Sequence, residues 1–173
     1  LTNGNSQILI AVKSGKCIRF EENKTRPMGR NASGVRGVRL KDQKDEVVGM
    51  ISVNDMDSDI LVVSENGYGK RSKLEDYRIT NRGGKGVKTI SITEKTGNLV
   101  SLKNVSDGDD LMIINKSGIA IRMEVNTLRV MGRATQGVRL INIKDNDSIA
   151  AVAKVVLDDQ EVTDIEEIDV VED

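Results

Sequence analysis

The groups whose type and spacing could do chemistry in this sequence are basic side chains set among glycines and small residues. Gly29-Arg30-Asn31-Ala32-Ser33-Gly34-Val35-Arg36 has counterparts in Asn81-Arg82-Gly83-Gly84-Lys85-Gly86-Val87-Lys88 and Gly132-Arg133-Ala134-Thr135-Gln136-Gly137-Val138-Arg139. Each segment holds an Arg, a small-residue loop, Gly-Val and a second base. Glycine lets backbone amides come close to an anion, and flanking Arg and Lys add charge-assisted hydrogen bonds. The chemistry this pattern serves is phosphate binding. Arg19, Arg71 and Arg122 recur with the same spacing, and Lys70 and Lys73 reinforce the middle copy. A repeated Arg that pairs with a repeated Asp or Glu would be structural. A whole loop kept basic in three copies points to phosphate.

The groups for bond-making chemistry are missing. With no histidine, a histidine triad or histidine metal site is impossible, and the single Cys17 rules out a cysteine zinc cluster and an internal disulfide. Cys17 lies in a strand-like stretch and reads as a small buried hydrophobe. The acids sit in turns and in the tail, with no spacing that isolates an acid/base pair. Asn81 to Thr89 is the most phosphate-like loop, but its Gly-Lys is not followed by Ser or Thr, and a strand rather than a helix comes next. Tyr68 and Tyr77 have no activating neighbour and read as structural or surface groups. The chain is expected to catalyse nothing.

The elements that must hold these residues are also repeated. Gln7-Ile-Leu-Ile-Ala-Val-Lys-Ser-Gly15, Asp59-Ile-Leu-Val-Val-Ser-Glu-Asn-Gly67 and Asp110-Leu-Met-Ile-Ile-Asn-Lys-Ser-Gly118 share one pattern, with turn glycines 52 and 51 residues apart. Ser14-Gly15, Asn66-Gly67 and Ser117-Gly118 predict two-residue hairpin turns, the first between strands Ile8 to Val12 and Lys16 to Phe20. A third strand is expected at Gly34 to Leu40, Gly86 to Ile92 and Gly137 to Ile143. A fourth is expected at Val47 to Val53, Leu99 to Val105 and Ile149 to Val156. Lys73 to Tyr77 has the character of a single helical turn. Four strands in about 50 residues, three times over, predict an all-β array of propeller-like blades at about 7–58, 59–109 and 110–156. Residues 157–173 form an acidic tail, read as disordered, although Val162, Ile165, Ile168 and Val171 would make one stripe on an induced helix.

Among the 173 residues, 27 acids oppose 26 bases. Nine of those acids lie in Asp158 to Asp173, which has no base, so the body carries 18 acids against 26 bases. A basic body with an acidic tail fits a nucleic-acid binder modulated in cis. No run is long enough for a membrane span, and no secretory signal is present. Aromatic residues make up only 2%, too few to stack the bases of single strands, and no recognition helix is visible. Duplex DNA held by its phosphates is the expected partner.

Met28 to Leu40, Asn66 to Arg71 and Val130 to Val138 resemble segments of the C-terminal domain of bacterial DNA gyrase A. The likeness covers essentially the whole chain in order and is closer than that to the related topoisomerase IV domain. It implies a β-pinwheel, a propeller-like disc whose blades exchange strands, with three of the family's usual six blades here as a partial disc. It also implies that duplex DNA wraps the rim in support of ATP-dependent negative supercoiling. Arg82-Gly83-Gly84-Lys85-Gly86 resembles the core of the gyrase-A box, but Asn81 replaces the box's first Arg and the copy falls in a later blade, so it reads as a related blade loop. The resemblance places the DNA-cleaving tyrosine in another domain, and ATP and Mg on other parts of the holoenzyme, with no cofactor in this chain. Gyrase B and a second copy of gyrase A are the implied protein partners, and the bacterial cytoplasm, at the chromosome, the implied location. The candidate phosphate contacts are Arg30, Arg36, Lys70, Arg71, Arg82, Lys85, Lys88, Arg122, Arg133 and Arg139. A propeller-like protein-interaction module whose basic loops dock an acidic partner is the rival reading.

Overall fold

The computed structural model describes residues 2–144 and 147–155. The acidic tail therefore lies outside the described residues. The first repeat contributes β1 (Gln7–Val12), β2 (Lys16–Glu21) and β3 (Val47–Val53). The second contributes β4 (Asp59–Ser64), β5 (Tyr68–Lys73), β6 (Val87–Lys88) and β7 (Leu99–Val105). The third contributes β8 (Asp110–Asn115), β9 (Ala120–Glu124), β10 (Val138–Arg139) and β11 (Ile149–Val155). A 3-10 turn follows the second strand of each repeat, at Glu22–Lys24, Leu74–Asp76 and Val125–Thr127. The helical turn expected near Lys73 is thus a feature of all three copies.

The hairpin loops are one residue longer than the sequence indicates. Val12 pairs with Lys16, so Lys13, Ser14 and Gly15 form the loop. The Gly15 amide bonds the Val12 carbonyl, and Gly67 and Gly118 bond Ser64 and Asn115 in the same way. The closing glycine takes φ 78° in the first loop. That left-handed residue converts a tight turn into a three-residue loop without splaying the strands.

The sheets are completed by exchange between repeats. Their orders are β3-β1-β2-β6 and β10-β5-β4-β7, with β11-β8-β9 as the third among the described residues. β6 of the second repeat therefore edges the first sheet, and β10 of the third repeat edges the second. This is the β-pinwheel arrangement. The expected long third strands shrink to two residues each, since only Val87–Lys88 and Val138–Arg139 meet a partner edge. Gly34 to Leu40 forms no strand, because no described repeat precedes it to offer an edge.

Packing explains why β4 reads as an unbroken apolar run rather than an alternation. Ile60 and Val62 face the first sheet in a cluster with Leu9, Ala11 and Cys17, whereas Leu61 and Val63 face the third with Leu111 and Ile113. A strand covered on both faces needs apolar residues at every position. Each fully buried Leu or Val contributes about 1.5–3 kcal/mol. Cys17 is buried in the first of these clusters, as its strand position indicates, and burial pushes its thiol pKa up to about 12. Among the described residues no helix is long and apolar enough to cross a membrane.

Candidate nucleic-acid interface

The strand order sorts the basic residues by distance from the centre. β3, β7 and β11 are the innermost strands, and β7 packs against both β3 and β11. β6 and β10 are the outermost, so the loops that lead to them lie on the outer edge. The chain reaches that edge in the same way each time. After the 3-10 turn it bridges onto the preceding sheet in parallel, Ile79 beside Arg19 and Val130 beside Arg71, with Thr80 and Met131 amides on the Arg carbonyls. It then loops out and returns as the donated strand.

The two crossing segments, 77–91 and 128–142, and the aligned segment 25–39, which joins no sheet, contain four, three and four bases and no acid. Nine of these eleven bases are exposed. Arg30, Arg36, Lys85, Lys88 and Arg139 from the sequence-derived set are among them. Arg139 is partly engaged: it donates to the Tyr68 hydroxyl at 2.9 Å and to Asn142 at 2.9 Å. Its bond favours the Tyr68 phenolate and holds that pKa below the ordinary tyrosine range.

The other members of that set face inward or are already bonded. Lys70 is only 1% exposed, and its amine donates to the Gly132 carbonyl at 2.6 Å and to Thr135 at 3.1 Å. Arg71 is buried against Asp59 and Asp107, and its bond holds the Asp107 carboxyl below its usual range. Arg122 donates to Asp110 at 2.6 Å. Arg82 bonds the Lys24 and Arg36 carbonyls, and Arg133 bonds Asp76 and Lys88 in the same way. These two arginines strap each loop to the preceding blade.

Arg19 and Arg71 are therefore structural, whereas Arg122 is paired with Asp110 but keeps a side chain that is 51% exposed. Arg19 donates to Gln7 at 2.7 Å and to the Leu74 and Tyr77 carbonyls of the next repeat at 2.6 and 2.9 Å. Gln7, Asp59 and Asp110 occupy one repeat position and serve as the partner in each blade. Two of the loop glycines have a packing role. A Cβ on Gly86, at φ 71°, would lie 2.5 Å from the Cys17 carbonyl, and one on Gly137 would lie 2.6 Å from that of Gly69. These glycines let the loop approach a neighbouring strand.

Sequence reasoning missed Arg26, Arg78 and Arg129. They repeat at the same 52 and 51 residues, just after each 3-10 turn, and all three are exposed. Spacing alone marks them. What distinguishes them from the Arg19 series is surroundings that the structure supplies. Tyr77 is fully buried and bonds Thr89 at 2.6 Å, and burial raises its pKa. It is a structural tyrosine. Among the described residues no cluster of potential metal ligands occurs.

A family model described as DNA gyrase C-terminal domain, beta-propeller, matches residues 7–54, 58–106 and 109–155. The DNA gyrase A protein of Staphylococcus aureus strain MRSA252 is 47% identical over 175 residues, covering 100% of this chain and 20% of that protein. The strain NCTC 8325 protein is 47% identical over 169 residues, covering 96% of the chain and 19% of its own length. The chain thus spans about a fifth of these relatives. A solved gyrase A C-terminal domain superposes with TM-score 0.79 at 29% identity, over 88% of this chain and 51% of that one. The C-terminal domain of DNA topoisomerase IV superposes with TM-score 0.84 at 22% identity, over 90% of this chain and 48% of that one.

Proposed function

The chain belongs to the DNA gyrase C-terminal domain family, and from that premise we propose that its outer edge binds and bends duplex DNA through the phosphate backbone. The observation that carries this reading is that three equivalent segments without an acid carry nine exposed bases. Phosphates repeat along a duplex, and a repeated array of cations matches them without reading base sequence. Arg26, Arg39, Arg78 and Arg129 join Arg30, Arg36, Lys85, Lys88 and Arg139 as the contacts. Lys70, Arg71 and Arg122 leave the set, because their charges are buried or paired. Arg82 and Arg133 hold the loops in place and present only what remains of their guanidinium groups.

A curved basic edge favours bent over straight DNA. Bending a 20–30 bp site costs about 1–6 kcal/mol, offset by the additional phosphate contacts. Within the longer protein, this edge would wrap DNA in support of ATP-dependent supercoiling, alongside gyrase B and a second copy of gyrase A, at the bacterial chromosome. Catalysis would belong to other domains, and this part would bind no cofactor. The test is duplex-DNA affinity against salt. If most of the exposed bases engage together, log affinity falls with log salt at a slope of roughly −5 to −8. Absent or salt-insensitive binding would overturn the reading in favour of a protein-interaction module.

A further inference from the structure

We propose that the pocket between the second and third repeats, on the side of the hairpin loops, binds a phosphate group. Lys95, Arg139, Lys144 and the hydroxyl of Tyr68 would hold it. The pocket has a volume of about 250 Å³. Sites that enclose a drug-sized ligand run to about 300–1,000 Å³, so this one takes a single anionic group rather than an entire nucleotide.

Both repeats build it. Tyr68 opens β5 and stands directly across from Arg139 of β10, the strand donated by the third repeat. The loop that leads into β7 folds back over the same ring. There the Asn66 side-chain amide donates to the Glu94 and Lys95 carbonyls at 3.1 and 3.3 Å. The Lys95 ammonium then lies 5.4 Å from the centre of the Tyr68 ring, and the Arg139 guanidinium lies at the same distance. Two cations gathered around one ring repel each other, a cost that a bound anion offsets.

The phenol points to the same ligand. Tyr68 is only 6% exposed, and it lines the pocket. Its oxygen accepts from Arg139 Nε at 3.2 Å and Nη2 at 2.9 Å, which occupies both lone pairs. Its proton has no acceptor among the described residues, in contrast to Tyr77, whose hydroxyl is bonded to Thr89. A nearly buried donor without an acceptor is costly unless a ligand supplies one. Lys95 and Lys144 form no ion pair among the described residues. The carboxylate in the lining, Asp147, is already engaged by the Ser117 hydroxyl and the Ser148 amide, both at 2.8 Å. The opposite ends of the blades, where β3 turns into β4 and β7 into β8, expose Asp55, Asp57 and Asp107. A phosphate is therefore drawn to the hairpin side. It comes either from a duplex on the adjoining outer edge, a case that rests on the DNA reading above, or from a free phosphate ion.

Tyr68 reports on its own site, because the chain has two tyrosines and the other, Tyr77, is fully buried. The ring protons are followed by NMR, with Tyr68 assigned by its loss in Tyr68→Phe. Inorganic phosphate and duplex DNA are titrated separately against chloride at constant ionic strength, and duplex binding is measured in parallel by fluorescence anisotropy. The Tyr68 signal should shift to saturation while that of Tyr77 stays in place. Lys95→Glu, an exposed position, should weaken inorganic phosphate binding about tenfold or more. A shift with duplex alone supports a backbone phosphate in the pocket, and a shift with inorganic phosphate alone supports a free-anion site off the DNA path. No shift with either probe while duplex still binds overturns the pocket and leaves the DNA reading standing. A shift with phosphate in a chain that binds no duplex does the reverse.

Discussion

The amine of Lys70 is bonded to the carbonyl of Gly132, 62 positions later in the chain, at 2.6 Å. A lysine at the repeat position filled by Ile18 and Ile121 therefore fastens one blade to the loop of the next. Burial is the main reason its pKa is lowered from 10.5 to about 8, and nearby Arg133 adds to the effect. An unfolded lysine holds its proton to about 10.5, whereas the folded one releases it near 8. The unfolded state thus binds more protons between those values, and the Lys70 contribution makes stability rise with pH across that window. Denaturation midpoints of wild type and Lys70→Met from pH 7 to 11 should show this rise in wild type and a flatter profile in the variant.

The loop glycines separate two kinds of cost. Gly86→Ala forces a Cβ to within 2.5 Å of the Cys17 carbonyl at φ 71°, so both backbone strain and a clash with the first sheet result. A loss of about 2–4 kcal/mol is expected. Gly34 has the same conformation, φ 79°, but nothing within 4 Å. Gly34→Ala should cost only the strain, about 1 kcal/mol. Equal losses in chemical denaturation would mean that the approach to Cys17 does not matter.

The sequence carried the blade count, the inner strands and the turn positions, because apolar periodicity and glycine placement are local signals. β3, β7 and β11 lie within a residue of where their apolar runs put them. The exchange of β6 and β10 was legible only through the family resemblance, since no local pattern tells a strand which sheet it will edge. The basic loops were legible in sequence, but which of their bases stay exposed and which are buried or bonded was not. Lys70 and Arg71 look basic and available in sequence, but their burial is set by segments some 30–65 residues away. Arg26, Arg78 and Arg129 were overlooked because they lie outside the glycine-rich loops.

The acidic tail supplies a prediction that rests on charge alone. Nine acids on Asp158 to Asp173 face a body with eight excess bases. If the tail competes with DNA for the outer edge, removing it should tighten duplex binding, most clearly at low salt, where screening is weakest. Titration of the chain with and without residues 158–173 at two salt concentrations checks this. Unchanged affinity at both would show that the tail does not compete.

Two series of repeated arginines make opposite predictions. Arg19 donates to the Gln7 side-chain amide oxygen within its own blade and to two buried carbonyls, those of Leu74 and Tyr77, across a blade junction. Arg19→Ala leaves those acceptors unsatisfied and should destabilise by about 2–4 kcal/mol. DNA affinity of the remaining folded protein should be little changed. Arg26, Arg78 and Arg129 are exposed and form no hydrogen bond or ion pair among the described residues. Replacing any one with Ala should shift stability by no more than about 0.5 kcal/mol. Each should nevertheless weaken duplex binding irrespective of sequence and make the salt slope shallower by about 1. Replacing all three should reduce the slope by about 3, since each would remove one phosphate contact from the same curved path. A triple variant with wild-type slope would move the DNA path off these residues, leaving Arg30, Arg36, Arg39, Lys85, Lys88 and Arg139 to carry it.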